Sequence, residues 1–183
     1  MSLVVLLGGA RSGKSTLALE LAVEAGAGVT FLATAEALDD EMAARIAAHH
    51  AERPVDWVTV EEPLELGRAL VAVESGSTCI VDCLTLWVSN LLLRGDEQQA
   101  VVDTAATCAR QAAVRPGLTI AVSNEVGLGI VPATPLGRTY RDVLGAVNKA
   151  WVGEADRAGF VIAGRILRLN GAEELVRSYR GRL

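Results

Sequence analysis

Residues 8–15 concentrate phosphate-binding chemistry in one short segment, because they fit the pattern G-x-x-x-x-G-K-[ST] between an apolar run and a predicted helix. Glycines in such a segment let backbone N–H groups turn toward a polyphosphate, and the helix N-terminus adds positive potential. Lys14 is expected to reach the β- and γ-phosphates, and the Ser15 hydroxyl to ligate Mg²⁺. The predicted nucleotide contacts in this loop are Gly8, Gly9, Ala10, Arg11, Ser12, Gly13, Lys14 and Ser15.

A carboxylate ends the fourth predicted strand, residues 77–82. Asp82 should therefore emerge at the carboxyl edge of the sheet, where open α/β sheets bind their ligands. There it is expected to be catalytic, either holding Mg²⁺ with Ser15 or accepting a proton from a substrate hydroxyl. An aspartate that only caps the next helix is the alternative.

The two histidines, His49 and His50, lie near the end of a helix predicted over residues 39–51. Arg45, His49 and Arg53 are spaced four apart, and four residues turn an α-helix by about 400°, so the three would share one stripe if the helix reached Arg53. Arginines bind phosphate in a bidentate manner, and flanking positive charge favours the neutral, nucleophilic imidazole. A histidine flanked in this way is chemically able to attack the α-phosphate of a nucleoside triphosphate. A solvated helix face is the alternative.

Strands alternate with helices along the chain. Apolar strands are predicted at residues 4–7, 29–33, 57–60, 77–82, 118–123 and 160–163, with a last edge strand at 165–169. Helices are predicted at residues 15–25, 39–51, 63–73, 84–93, 97–114 and 135–155. This order predicts an α/β fold with a mostly parallel central sheet and helices on both faces. No repeat or linker interrupts residues 1–183, which are expected to form a single nucleotide-binding domain.

Composition excludes several classes of function. The 183 residues are 51% hydrophobic, enough to bury a full core, and their net charge of −5 argues against a generally basic nucleic-acid surface. The apolar N-terminal run covers only residues 3–7, which is too short for a signal peptide, and no run is long enough for a transmembrane segment. Cys79, Cys83 and Cys108 suggest neither a zinc site nor a disulfide framework. A cytoplasmic protein is expected.

Further motifs follow the glycine-rich loop in order. They are residues 38–46, His49, Arg53-Pro54, Trp57-x-Thr59-x-Glu61-x-Pro63, Asp82-Cys83-Leu84-Thr85, Asn90-Leu91-Leu92, residues 124–132 and Arg141-Asp142-x-x-Gly145-x-x-Asn148. Together they extend over most of residues 3–150. The set resembles the bifunctional adenosylcobinamide kinase/adenosylcobinamide-phosphate guanylyltransferase family, and it is specific where the loop alone is not.

The resemblance implies two reactions. ATP or GTP phosphorylates adenosylcobinamide, and GTP then loads GMP onto a histidine, which passes it to the new phosphate to give adenosylcobinamide-GDP. The guanylylated histidine of the family falls on His49, beside Lys14 and Asp82 as catalytic residues. The nucleotide contacts outside the loop fall on Thr34, Arg45, Arg53, Glu61 and Asp82. A RecA-like P-loop fold and a homotrimer are also implied.

Two other functions fit the loop alone. One is a P-loop small-molecule kinase without guanylyltransferase activity, and the other is a nucleotide-dependent switch. Residues 123–126 read Ser-Asn-Glu-Val where a small GTPase would carry Asn-Lys-x-Asp, which disfavours the switch.

Glu125 is expected either to touch a ligand or to shape a turn. The helix with His49 is expected to act as a movable lid.

Overall fold

The computed structural model describes residues 2–37 and 39–171, and these build one seven-stranded sheet in the order β3-β2-β4-β5-β1-β6-β7. The strands are β1 Ser2–Gly8, β2 Val29–Ala33, β3 Val58–Glu61, β4 Thr78–Asp82, β5 Leu118–Asn124, β6 Arg157–Ile162 and β7 Arg165–Leu169. Every pairing among the first six strands is parallel, and β7 pairs antiparallel with β6. The prediction of a mostly parallel sheet is confirmed.

Helices cover both faces of the sheet, as predicted. They are α1 Lys14–Ala25, α2 Asp40–Ala51, α3 Leu66–Ala72, α4 Leu84–Arg94, α5 Gln98–Val114 and α6 Pro135–Glu154. Ala18 and Ala22 of α1 pack on one face, and the larger core of α3 to α6 packs on the other, around Trp87 and Trp151. Burial on both sides explains why the inner strands are almost wholly apolar.

Several predicted boundaries were wrong, and two of the differences have local reasons. Helix α3 begins at Leu66 and not at Pro63, because the Glu62 carboxylate accepts the N–H groups of Leu64 and Glu65 and closes a turn first. Strand β6 ends before Ala163, which turns the chain toward β7 with φ 50°. The C-terminal Arg177, Arg180 and Arg182 lie outside the described residues.

The strand order decides which loops meet. Strand β5 lies between β1 and β4, so the loop after β1, Asp82 at the end of β4 and Asn124 at the end of β5 share one edge of the sheet. Ligands of open parallel sheets bind at such carboxyl edges. Within residues 2–37 and 39–171, no helix has the length and apolar character needed to cross a membrane.

Candidate nucleotide-binding site

The glycine-rich loop is shaped by close backbone packing against the turn between β6 and β7. A side chain at Gly8 would place its Cβ 2.3 Å from the Val161 carbonyl oxygen, so only glycine fits there. Gly13 adopts φ 98° and immediately precedes α1. The Gly164 N–H donates to the Ser12 carbonyl at 2.9 Å, which braces the loop from the neighbouring turn. The loop conformation therefore follows from glycines at fixed positions.

Lys14 is folded over its own loop. Its Nζ donates to the Gly9 carbonyl at 2.7 Å and lies 3.5 Å from the Ser12 hydroxyl. Burial lowers the pKa of Lys14, while the nearby Cys83 and Asp82 act in the opposite direction. The ammonium group therefore lies where loop N–H groups and the start of α1 already favour phosphate.

Asp82 lies opposite the loop at the end of β4. Burial raises the pKa of its carboxyl group, while a hydrogen bond from Ser15 and the nearby side chains of His49, Arg53 and Lys14 act in the opposite direction. A serine hydroxyl beside a carboxylate supplies the hard oxygen ligands that Mg²⁺ prefers. The Ser15–Asp82 pair thus fits a Mg²⁺ ion.

Thr34 supports the turn after Asp82 from behind the cleft. Its hydroxyl donates to the Cys83 carbonyl at 2.7 Å and accepts the Cys83 N–H at 2.8 Å, while Asn90 Nδ2 donates to the Thr34 carbonyl at 2.8 Å. Thr34 is fully buried. Thr34 therefore has a structural role in holding the turn after β4, and its contact with nucleotide stays a prediction.

Helix α2, which carries His49, makes few buried contacts with the rest of the described protein. Asp39 caps α2 by accepting the Met42 N–H at 2.7 Å, and no side chain of the helix is buried. His49 lies near its C-terminal end, with Nδ1 3.6 Å from a Glu52 carboxylate oxygen. Few buried contacts mean a low free energy for local opening, which agrees with the prediction of a lid.

The stripe predicted along this helix is formed in a different way. Helix α2 ends at Ala51, so Arg53 belongs to the following turn and not to the helix. Arg45, His49 and Arg53 nevertheless line the same cleft. The three cationic or nucleophilic side chains therefore converge even though helical periodicity does not align all of them.

A cleft of about 410 Å³ brings most of the predicted site residues together. Its walls include Ala10, Arg11, Ser12, Gly13, Lys14, Ser15, Arg45, His49, Arg53 and Asp82. Gly8, Gly9 and Thr34 belong to the supporting backbone and turn, and Glu61 ends the edge strand β3, so none of these four lines the cleft. Lining residues that the sequence analysis missed are Thr16, Phe31, Ala33, Ala35, Met42, Ile46, Cys83, Leu86, Val122 and Asn124. Asn124 could have been found, because it ends a strand as Asp82 does.

Hydrogen bonds hold the end of β5 and the loop that follows it. The Glu125 carboxylate accepts the Gly127 N–H, which supports the turn-shaping alternative for this residue. Behind it, the Asn124 N–H donates to the Thr85 hydroxyl at 2.7 Å, and its carbonyl accepts Asn148 Nδ2 at 3.0 Å. These bonds fix the backbone of Asn124 at the wall of the cleft.

Asp82→Asn should stabilise the metal-free protein at neutral pH. Because burial raises the pKa of Asp82, folding favours its protonated form; that stability is complete below the unfolded-state pKa and is lost as pH rises through the folded-state pKa. We expect a Tm gain of about 2–4 °C at pH 7, equivalent to about 1 kcal/mol. Calorimetry in EDTA at pH 7 and at about pH 3, below the ordinary aspartate pKa, measures it. A gain of equal size at both pH values would contradict the electrostatic cause.

The loop after β1, its lysine and a carboxylate at the end of β4, a parallel strand separated from β1 by β5, define a P-loop nucleotide-binding enzyme with a RecA-like sheet. The sequence profile of one family, described as cobinamide kinase / cobinamide phosphate guanyltransferase, matches residues 4–169. The chain belongs to this family. The family prediction is confirmed, and the kinase without guanylyltransferase activity is not favoured.

Two relatives agree with this assignment, and one solved structure shares the fold. The bifunctional adenosylcobalamin biosynthesis protein CobP of Pseudomonas aeruginosa is 46% identical over 168 residues, 91% of this chain and 96% of the relative. The corresponding CobU of Escherichia coli K12 is 36% identical over 179 residues, 88% and 96% of the two chains. The ATPase EscN of an enteropathogenic E. coli type III secretion system aligns with a TM-score of 0.55 and 12% identity, over 98% of this chain and 54% of that one. This last similarity shows the fold alone.

Proposed function

We propose that one cleft performs both reactions of the family, with His49 as the residue that carries GMP between them. The observation behind this proposal is that His49 lines the same cleft as Lys14 and Asp82. A nucleophile that faces the phosphate-binding loop can reach a bound triphosphate without a second nucleotide site. The substrates are adenosylcobinamide, GTP, and ATP or GTP as the kinase donor.

The first reaction is phosphoryl transfer to the terminal hydroxyl of adenosylcobinamide. Loop N–H groups and Lys14 hold the β- and γ-phosphates, and Asp82 accepts the hydroxyl proton as its oxygen bonds to the γ-phosphorus. The bond from the γ-phosphorus to the bridging oxygen breaks, and the nucleoside diphosphate leaves. Ser15, with Asp82 acting through water, would hold Mg²⁺, which offsets negative charge on the phosphate oxygens when bound.

The second reaction proceeds through a covalent intermediate. An imidazole nitrogen of His49 bonds to the α-phosphorus of GTP, and the bond from that phosphorus to the bridging oxygen breaks to release pyrophosphate. A phosphate oxygen of adenosylcobinamide phosphate then bonds to the same phosphorus, and the imidazole leaves. Splitting the transfer avoids a direct encounter of two polyanions, and Arg45 and Arg53 offset the charge that remains.

The wider setting of the enzyme is part of the proposal. A homotrimer rests on the family resemblance, and so does the contact of Thr34 and Glu61 with nucleotide. Unpaired Cys79, Cys83 and Cys108 suit a reducing compartment, which supports the cytoplasm. Residues 1–183 as a single domain remain a prediction.

Labelled GTP tests the two reactions separately. We expect label from [α-³²P]GTP to remain on denatured protein with release of pyrophosphate, and label from [γ-³²P]GTP to appear in adenosylcobinamide phosphate. Transfer of γ-label without any protein-bound α-label would leave a kinase only. Slow hydrolysis with neither transfer would refute both activities.

A further inference from the structure

Arg53 is held by one side chain from each of two neighbouring strands, Phe31 and Thr59, which we call the clamp. Its guanidinium carbon lies 3.6 Å from the centre of the Phe31 ring, and its Nη1 donates to the Thr59 hydroxyl at 3.2 Å. Phe31 on β2 and Thr59 on β3 are register partners, so the ring and the hydroxyl are side by side on the sheet. The ring limits tilt of the guanidinium plane and the hydroxyl limits its rotation.

One edge of this guanidinium is left for a ligand. Arg53 Nε is buried and has no hydrogen-bond partner among residues 2–37 and 39–171, and none of the ion pairs between described side chains involves Arg53. A buried N–H group without an acceptor is costly, so such a group in a binding cleft indicates a missing acceptor. Because Nη1 is already engaged by Thr59, the edge formed by Nε and Nη2 is the one that can donate two hydrogen bonds to an incoming oxyanion.

Arg53 lies in the same cleft as the proposed nucleophile. Phe31 and Arg53 line the cleft together with His49 and Asp82. Arg53 follows His49 by four residues, so fixing Arg53 on the sheet also fixes the chain just beyond the proposed nucleophile. An arginine held flat with one free edge binds a phosphate in a bidentate manner at a smaller entropic cost than a mobile one.

We propose that Phe31 and Thr59 are positioning residues, which hold Arg53 so that its Nε edge binds a phosphate oxygen of the nucleotide. The identity of the nucleotide rests on the proposed function. Neither residue touches the reacting atoms, and both act through Arg53. The ligand class is a phosphate oxyanion, and the clamp is specific to arginine because lysine lacks the planar fork.

Single substitutions test the clamp by binding and by labelling. Phe31→Leu and Thr59→Val should each weaken binding of a non-hydrolysable GTP analogue, measured by calorimetry, and slow α-label incorporation at saturating GTP, with about a tenfold loss in each assay. Phe31→Tyr keeps the aromatic face and should recover most of both. Phe160→Leu makes the same chemical change on β6 outside the cleft and serves as the matched control.

A double-mutant cycle separates positioning from general damage. If Phe31 acts through Arg53, Phe31→Leu should add little to the loss already caused by Arg53→Lys. Losses that multiply in the double variant would overturn the proposal, and so would a Phe31→Leu or Thr59→Val enzyme that binds the analogue as well as the wild type does. Thermal unfolding of each variant identifies misfolding, and Thr59→Val provides the test if Phe31→Leu does not fold.

This test does not depend on the covalent step. A wild-type enzyme that binds the analogue but never retains α-label would refute the proposed histidine intermediate, while the binding arm would still report on the clamp. Retained α-label with unaltered binding and rates in both clamp variants would refute the clamp alone.

Discussion

His49→Ala should abolish covalent guanylylation. The variant lacks the only side chain proposed to bond to the α-phosphorus, and no other histidine lines the cleft in the part of the chain that the structure describes. Protein-bound label from [α-³²P]GTP should fall by about 10³-fold or more, to background. Release of pyrophosphate should fall with it. The measurement is acid-quenched protein counted after gel filtration.

The neighbouring histidine supplies the control. His50→Ala removes an imidazole from the same helix, one residue away and outside the residues that line the cleft, so it should label like the wild type. Transfer of γ-label should fall far less than α-labelling in His49→Ala, because the kinase step uses Lys14 and Asp82. Full α-labelling of His49→Ala, or its loss only in His50→Ala, would show that the assignment is wrong.

The phosphate-binding loop was predictable because its chemistry is local. Eight consecutive residues contain the glycines, the lysine and the serine, and the flanking strand and helix follow from their own apolar patterns. The position of Asp82 was predictable because a charged residue at the end of a buried strand emerges at the carboxyl edge of the sheet. For the loop, sequence neighbours are also structural neighbours, whereas the approach of Asp82 to the loop depends on strand order.

The remaining wall of the cleft depends on strand order, which no local pattern encodes. The apolar pattern of β2 indicates that Phe31 is buried, and it gives no sign that Arg53 covers the ring. Helical spacing correctly predicted that Arg45 and Arg53 accompany His49. It attributed this to one continuous helix, but α2 ends at Ala51 and the following turn places Arg53 in the cleft. Such contacts between distant segments follow from topology.

Helix α2 differs energetically from the rest of the fold. Helices α3 to α6 are anchored by a large apolar core, whereas α2 has no buried side chain and meets the sheet mainly through the turn that contains Arg53. Elements with few buried contacts open at low free energy. The proposed nucleophile therefore lies on an element that can open at low free energy while the core beneath the loop stays packed.

Lys14→Ala should impair both reactions together. The proposed cleft uses the same ammonium group to hold the γ-phosphate in the kinase step and the departing pyrophosphate in the guanylylation step. Loss of a positioned cation at developing negative charge costs about 10²–10³-fold in rate, so both γ-transfer and α-labelling should fall by at least this factor. Both are measured with the labelled nucleotides at saturating concentration.

The sequence contains one other lysine, which makes the control direct. Lys149 is exposed on α6 and does not line the cleft, so Lys149→Ala should retain both activities. A Lys14→Ala enzyme that loses γ-transfer but still acquires α-label at the wild-type rate would mean that GTP reaches the histidine from a second site. That result would contradict the shared cleft. If GTP binds only in that cleft, guanylylation of His49 requires the loop and Lys14 to bind the phosphates of the same nucleotide.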